Sequence, residues 1–181
     1  MIESSIVNHD TMAEGVGVSK NYCTFWLGNG LFAAEASLVK EVAVLPCMTP
    51  IPQAPDTVRG YVNLRGQIVL VLDLKCLLLR SAARIGNDTR LVVFRSCLGE
   101  PFGILVDRIG DIVSLHEDRI EKCASGNYAN GGDNRTPPEE ELITGIGKLA
   151  DELLSILDAR KLLPHIDNTI VQYRAASLHR E

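Results

Sequence analysis

Short β-prone segments alternate with turn residues along most of the chain, and this pattern constrains the fold more than any other feature of the sequence. The aromatic segment from Tyr22 to Leu27 is followed by Gly-Asn-Gly at residues 28–30, which predicts a tight turn between two strands. The run IVLVL at 68–72 shows no polar alternation, so both faces of that strand are expected to be buried. About ten such strands and little helix predict an all-β fold of small barrels, because closed barrels leave no exposed strand edges.

The composition favours some classes of function over others. The net charge of −5 argues against a nucleic-acid-binding protein. Nucleic-acid binding nevertheless remains an alternative, because small barrels often bind RNA or DNA. The mean hydropathy of +0.09 is slightly high for a lone domain, so some apolar surface is expected to meet a partner. No secretory leader and no run of about 18 apolar residues is visible, which predicts a cytoplasmic protein without membrane insertion.

No group of residues assembles an active site or a cofactor site, although an enzyme stays open as a rival interpretation. The five cysteines form no C-x-x-C pair, and the four histidines have no metal-ligand neighbour, so neither a metal nor a cofactor is expected. Asp73, Asp107 and Asp111 stand at strand ends, where carboxylates commonly cap turns. Capping is therefore preferred to acid–base chemistry for these three residues.

Arg65 in the stretch RGYVNLRGQIVLVLDL is unusual, because an arginine between Gly60 and Gly66 interrupts an otherwise apolar strand pattern. It either points to solvent at a turn or is held by a carboxylate. The stretch from Gly103 to Leu115 also has two interpretations. It forms either ordinary core strands with a turn or one wall of a hydrophobic groove between two barrels.

These stretches resemble the CheW family of chemotaxis coupling proteins, chiefly in the N-L-R-G and V-D-R-I-G-D patterns and in LITGIGKLADELLSILDARKLL at 142–163. The resemblance implies two five-stranded SH3-like barrels that share a hydrophobic core, with a short C-terminal helix. It divides the chain into a polar tail (1–20), a CheW-like domain (21–163) and a C-terminal tail (164–181) that could be helical. Within the domain, the expected lobes span roughly 21–85 and 86–157.

The resemblance also implies a function without catalysis. CheW proteins link the cytoplasmic tips of methyl-accepting chemoreceptors to the regulatory domain of the histidine kinase CheA, and they associate weakly in rings within membrane-bound receptor arrays. The chain is accordingly expected to be a cytoplasmic adaptor recruited to such arrays. An alternative is an adaptor of a non-flagellar chemosensory pathway that keeps only kinase binding or self-association.

Positions of the family motifs imply a partner-binding surface in this chain. Glu41 and Arg65 are expected to lie close together, and Ile109 and Ile112 are expected to line a receptor groove. Leu70 and Lys75 depart from the proline and arginine that the family often has, which leaves the identity of the partners open. The implied positions, including supports of the groove, are Val39, Glu41, Gly60, Arg65, Gly66, Gly103, Leu105, Ile109 and Ile112.

Overall fold

The computed structural model describes residues 18–123, 142–150 and 152–167. Most of the predicted N-terminal tail, the Gly- and Glu-rich segment 124–141 and residues 168–181 lie outside the described residues. The described chain forms twelve strands in two six-stranded sheets, and a short α-helix, α1, at Leu74–Leu79. Residues 159–167 form 3₁₀ and α-helical turns at the C-terminal end of this part.

The first sheet is built from the two ends of the described chain. Its strand order is β10-β11-β12-β2-β1-β9, and β12 pairs with β2 in parallel while the other pairs are antiparallel. Its strands are β1 (Ser19–Leu27), β2 (Gly30–Glu35), β9 (Arg108–His116), β10 (Ile120–Lys122), β11 (Ile143–Lys148) and β12 (Leu153–Leu157).

The second sheet is continuous in sequence, between residues 39 and 106. Its order is β3-β7-β8-β6-β5-β4, with β6 and β8 parallel. Its strands are β3 (Val39–Val44), β4 (Met48–Thr49), β5 (Val58–Leu64), β6 (Gln67–Asp73), β7 (Arg90–Phe94) and β8 (Phe102–Val106). The boundaries of the sheets thus fall near 36–38 and 107, whereas the lobes expected from the sequence meet at 85 and 86. β7 and β8 belong with β3 to β6 because they hydrogen-bond to β3 and β6.

Three apolar clusters fill the molecule. One lies on the first sheet and includes Tyr22, Leu115 and Leu154, and a second lies on the second sheet and includes Val71 and Leu91. The largest joins residues of both sheets, α1 and the C-terminal helical turns. Its largest fully buried side chains are Phe25, Phe94 and Phe102. The prediction of an all-β fold with two SH3-like barrels, a shared core and a short C-terminal helix is confirmed. Each sheet has one strand more than expected, because the two- and three-residue strands β4 and β10 join the edges.

Candidate partner-binding surface

The N-L-R-G motif forms the tip of the β5–β6 hairpin. Leu64 pairs with Gln67, so the turn between them contains only Arg65 and Gly66, which have φ angles of 53° and 87°. Two-residue turns with both central φ angles positive match the twist of a hairpin, and glycine adopts such angles without strain. The Asn63 side-chain oxygen accepts a hydrogen bond from the Gly66 amide at 2.8 Å and closes the turn. Gly66 therefore lies in the turn between β5 and β6 and not inside a strand.

Arg65 reaches from this tip to the edge strand β3. Its Nη2 lies 3.6 Å from Oε2 of Glu41, which confirms that the two residues are close together. A second contact runs parallel to the first, because Lys40 Nζ donates to Gln67 Oε1 at 2.6 Å. The register of β3 on β7 shifts between Val39 and Glu41, which leaves Lys40 as the extra residue of a bulge. Two polar contacts thus tie the hairpin tip to β3; we call this set of four side chains the β3–hairpin tie.

The ion pair in the tie lies at the surface. The Arg65 side chain is 87% exposed and that of Glu41 is 24% exposed. Water therefore solvates the guanidinium, and exposed pairs of this kind contribute only about 0–1 kcal/mol. Beside the tie, a pocket of about 320 Å³ is lined by polar residues such as Lys40, Gln67 and Arg95 together with apolar residues.

Two of the other predicted positions, Gly60 and Val39, have structural contacts and little accessible surface. Gly60 lies in β5 at φ 139°, beside a register shift, and a β-carbon there would overlap the carbonyl oxygen of Thr49. Val39 is half-buried and packs against the shared core. Gly60 is required for the close approach of β4 to β5, so its influence on a partner surface is indirect.

Gly103 and Leu105 are buried in β8, which lies between β6 and β7. Leu105 is fully buried in the cluster of the second sheet. A β-carbon on Gly103 would lie 2.9 Å from both Leu91 Cδ1 and the Val92 carbonyl oxygen. These two residues can shape the second barrel, but they cannot touch a partner in this structure.

Ile109 and Ile112 differ in how far they are exposed to solvent. Ile109 is half-buried against the shared core, whereas Ile112 is 69% exposed. Between them, the register with β1 shifts so that Gly110 and Asp111 face the single residue Thr24. The Thr24 hydroxyl donates to the Asp111 carbonyl oxygen at 2.6 Å, and Gly110 has no room for a β-carbon beside it. Only Ile112 of this pair offers a large accessible apolar side chain.

Sequence reasoning missed two exposed valines on β3. Val42 is 41% and Val44 71% exposed, and both lie on an edge strand that, within the described residues, pairs with β7 alone. Burial alternates along VKEVAV, and Val42 and Val44 lie on the same exposed face as Lys40, since residues two apart on a strand share a face. Sequence reasoning also missed a cation–π contact, in which the Arg108 guanidinium carbon lies 4.2 Å from the centroid of the Trp26 ring.

Two of the three aspartates expected to cap turns, Asp73 and Asp107, have such partners, whereas Asp111 lies inside β9. Asp73 caps α1 by accepting from the Cys76 amide at 2.9 Å. Asp107 accepts from the Gly28 amide at 2.6 Å and from Lys75 Nζ at 2.8 Å, which links the β1–β2 turn to α1. Lys75, which replaces a frequent arginine of the family, therefore keeps a charge partner.

The described ranges contain no group of three or more histidine, cysteine, aspartate or glutamate side chains placed to hold a metal ion. None of the helices in the same ranges is long and apolar enough to cross a membrane.

The paired sheets, the shared core and the tied hairpin define a double SH3-like barrel. The profile of the CheW-like domain matches residues 21–167, and the chain belongs to that family. The chemotaxis protein CheW of Klebsiella aerogenes is 28% identical over 170 residues, which cover 90% of this chain and 93% of the relative. The chemotaxis protein CheW of Treponema pallidum is 30% identical over 150 residues, which cover 77% and 79%.

Solved structures agree with this assignment. The crystal structure of the scaffolding protein TtCheW from Thermoanaerobacter tengcongensis superposes with a TM-score of 0.67 at 25% identity, covering 80% of this chain and 92% of that one. The family consists of adaptors and scaffolds of chemotaxis signalling that are generally non-catalytic, and this chain is an adaptor of that class.

Proposed function

We propose that this protein couples chemoreceptors to the regulatory domain of a CheA-type histidine kinase on the cytoplasmic side of a receptor array. The observation that carries the proposal is Arg65. Arg65 is a non-glycine residue in the left-handed region, which lowers the stability of the fold by roughly 1 kcal/mol. Its largely exposed ion pair with Glu41 contributes no more than about 1 kcal/mol in the other direction. Arg65 therefore adds little to the stability of the fold, which supports a role for its charge in binding another protein.

Two parts of the surface are proposed to contact partners. The β3–hairpin tie presents charged groups next to the exposed valines of β3, and Ile112 presents an isolated apolar side chain on β9. An apolar receptor helix is expected to bury Ile112, because helices dock through apolar anchors. The buried positions Gly103 and Leu105 are proposed to support these contacts from within the second barrel.

The experiment is a reconstitution with purified components. A chemoreceptor and the CheA-type kinase of the same genome are combined in vesicles, and kinase autophosphorylation is measured with and without the protein. Kinase activity is expected to require the protein and to respond to receptor ligand. Activity that is the same without the protein would refute the coupling function.

Variants separate the two contacts. Ile112→Asp is expected to weaken receptor binding while kinase binding persists, because burying the new carboxylate would cost several kcal/mol. Ile85→Asp is the matched control, since Ile85 is 52% exposed in the loop after α1, apart from both proposed contacts. Equal loss of receptor and kinase binding in a folded Ile112→Asp protein would contradict separate sites.

Self-association is proposed to be weak. Transient contacts between small domains bury less than about 1,200 Å², so the purified protein should sediment as a monomer at micromolar concentration. It should nevertheless bind the kinase regulatory domain. A stable dimer with no affinity for that domain would argue against an adaptor of this type.

A further inference from the structure

The pocket beside the β3–hairpin tie lies at the end of β7 and has a mixed lining. The buried residues Val93 and Phe94 form its inner side together with the half-buried Pro101, whereas the exposed residues Lys40 and Arg95 lie at its rim. Small-molecule sites usually measure about 300–1,000 Å³, and the volume of this pocket, about 320 Å³, falls at the lower end of that range. A small ligand that combines apolar and charged groups therefore suits it.

Backbone hydrogen bonds hold the walls of the pocket in place. The Arg95 amide donates to the Leu38 carbonyl oxygen at 2.9 Å, and the Leu70 amide donates to the Pro101 carbonyl oxygen at 2.9 Å. The 3₁₀ turn Ser96–Leu98 lies between these two anchored points. A ligand can thus bind without first ordering a loop, which lowers the entropy cost of binding.

The bulge in β3 brings Lys40 to this pocket. Its neighbours in the chain, Val39 and Glu41, pair with Phe94 and Val93, so Lys40 is the extra residue opposite these two lining residues. Bulges change the direction in which a side chain points, and they occur often beside functional sites. The irregularity of β3 therefore has a possible use in placing a cation at the rim.

The two cations at the rim have no carboxylate partner among the described residues. The Lys40 ammonium donates to the neutral Gln67 amide, and Glu41 lies next to Arg65 instead. The ion pairs of the described chain do not include Lys40 or Arg95. None of the described residues that line the pocket is acidic. An anion would thus meet two positive charges here, although the net charge of the chain is −5.

The mixed lining indicates which kind of anion fits. Inorganic phosphate would use the cations and leave the apolar wall in contact with water. A carboxylate on a short apolar group would use both, since a guanidinium can donate two parallel hydrogen bonds to one carboxylate and apolar surface gains from burial.

We propose that this pocket binds a small organic acid. Its carboxylate contacts Lys40 and Arg95, and its apolar group packs against Pro101 and the inner side of the pocket. The site is independent of the proposed coupling function, because the purified protein alone is sufficient to test it.

Cys97 serves as the reporter in the experiment, since it lines the pocket and is exposed. Iodoacetate and its neutral analogue iodoacetamide both alkylate a thiolate, whose sulfur forms a bond to carbon as iodide leaves. The ratio of the two rates at one cysteine therefore measures its preference for the anionic reagent. Mass spectrometry should find this ratio at least about threefold higher at Cys97 than at the exposed Cys47 and Cys123.

Competition and substitution identify the site. Butyrate has a Kd on the order of 10 mM for a site of this kind and should slow the alkylation of Cys97 but not that of Cys47. Butyramide and inorganic phosphate at the same ionic strength should protect Cys97 clearly less. Arg95→Ala should remove both the preference and the protection. Arg84→Ala, which removes an exposed arginine outside the pocket lining, should retain both.

Four results would overturn the proposal. The first is the same rate ratio at Cys97 as at Cys47 and Cys123. The second is a raised ratio without protection by butyrate, because a positive potential alone would then explain it. The third is equal protection by butyrate and by butyramide or phosphate. The fourth is an unchanged ratio in a folded Arg95→Ala protein. The first three are measured on the unmodified protein, so they decide the matter even if a variant fails to fold.

Discussion

Replacement of Asp73 by alanine should be among the most destabilising single changes in this protein. Its carboxylate is fully buried and accepts hydrogen bonds from the Cys76 and Ala83 amides, each at 2.9 Å. The guanidinium of Arg59 lies 3.5 Å away with its side chain 28% exposed. One side chain thus starts α1, holds the loop that follows α1 and partners a charge on β5.

The expected loss of unfolding free energy follows from these contacts. Removal of a helix N-cap costs about 0.5–2 kcal/mol. The Ala83 amide would be left buried without its acceptor, at a cost of about 1–3 kcal/mol. Arg59 reaches water and adds little. The sum is about 3 kcal/mol, measured by urea unfolding followed through the fluorescence of the single tryptophan, Trp26.

Two variants make the measurement specific. Asp73→Asn keeps one oxygen acceptor and should lose clearly less than Asp73→Ala. Asp88→Ala removes an exposed carboxylate from the same loop and should change stability by less than about 0.5 kcal/mol. A loss below about 1 kcal/mol in Asp73→Ala would show that water or a rearranged loop satisfies both amides, and the reasoning would be wrong.

Three further changes test other parts of the fold. Gly60→Ala should lower the unfolding free energy by at least about 2 kcal/mol because the added carbon overlaps the Thr49 carbonyl, whereas Gly86→Ala, with open space around it, should be nearly neutral in the same urea titration. Arg65→Ala should change stability by less than about 1 kcal/mol, and a larger loss would contradict the exposed character of its ion pair. Burial raises the pKa of the Cys23 thiol, so at pH 8.5 it should hold less thiolate than an ordinary cysteine and should be alkylated slowly, at a rate that still rises above pH 9; mass spectrometry should find earlier modification at the three exposed cysteines, Cys47, Cys97 and Cys123.

Features that depend on a few neighbouring residues could be predicted from the sequence. The Gly-Asn-Gly turn joins β1 and β2, and Gly66 occupies a position where a positive φ is needed. Asp73 caps α1 because a carboxylate at a strand end finds a free amide in its own neighbourhood, that of Cys76. Such signals are local, and residue type alone carries them.

Features that depend on pairing between distant segments could not be predicted in the same way. Which strands belong to each sheet depends on which strands hydrogen-bond to one another. β8 pairs with β6 in parallel, and no turn sequence between them predicts that pairing. For the same reason, the spacing of Ile109 and Ile112 did not show that a bulge opposite Thr24 lies between them. The proximity of Glu41 and Arg65 was expected only through the resemblance to a family. Periodicity does not bring residues 24 positions apart together.

The strand order of the first sheet has a consequence for the synthesis of the chain. The second sheet uses only residues 39–106 and can form all its pairs as soon as these have left the ribosome. β1 and β2 are made first, but β2 pairs on its other side with β12, the last strand of the described chain. β10 and β11 reach β2 only through β12. The hairpin of β1 and β2 therefore keeps an unpaired edge on β2 until residues 153–157 have been synthesised.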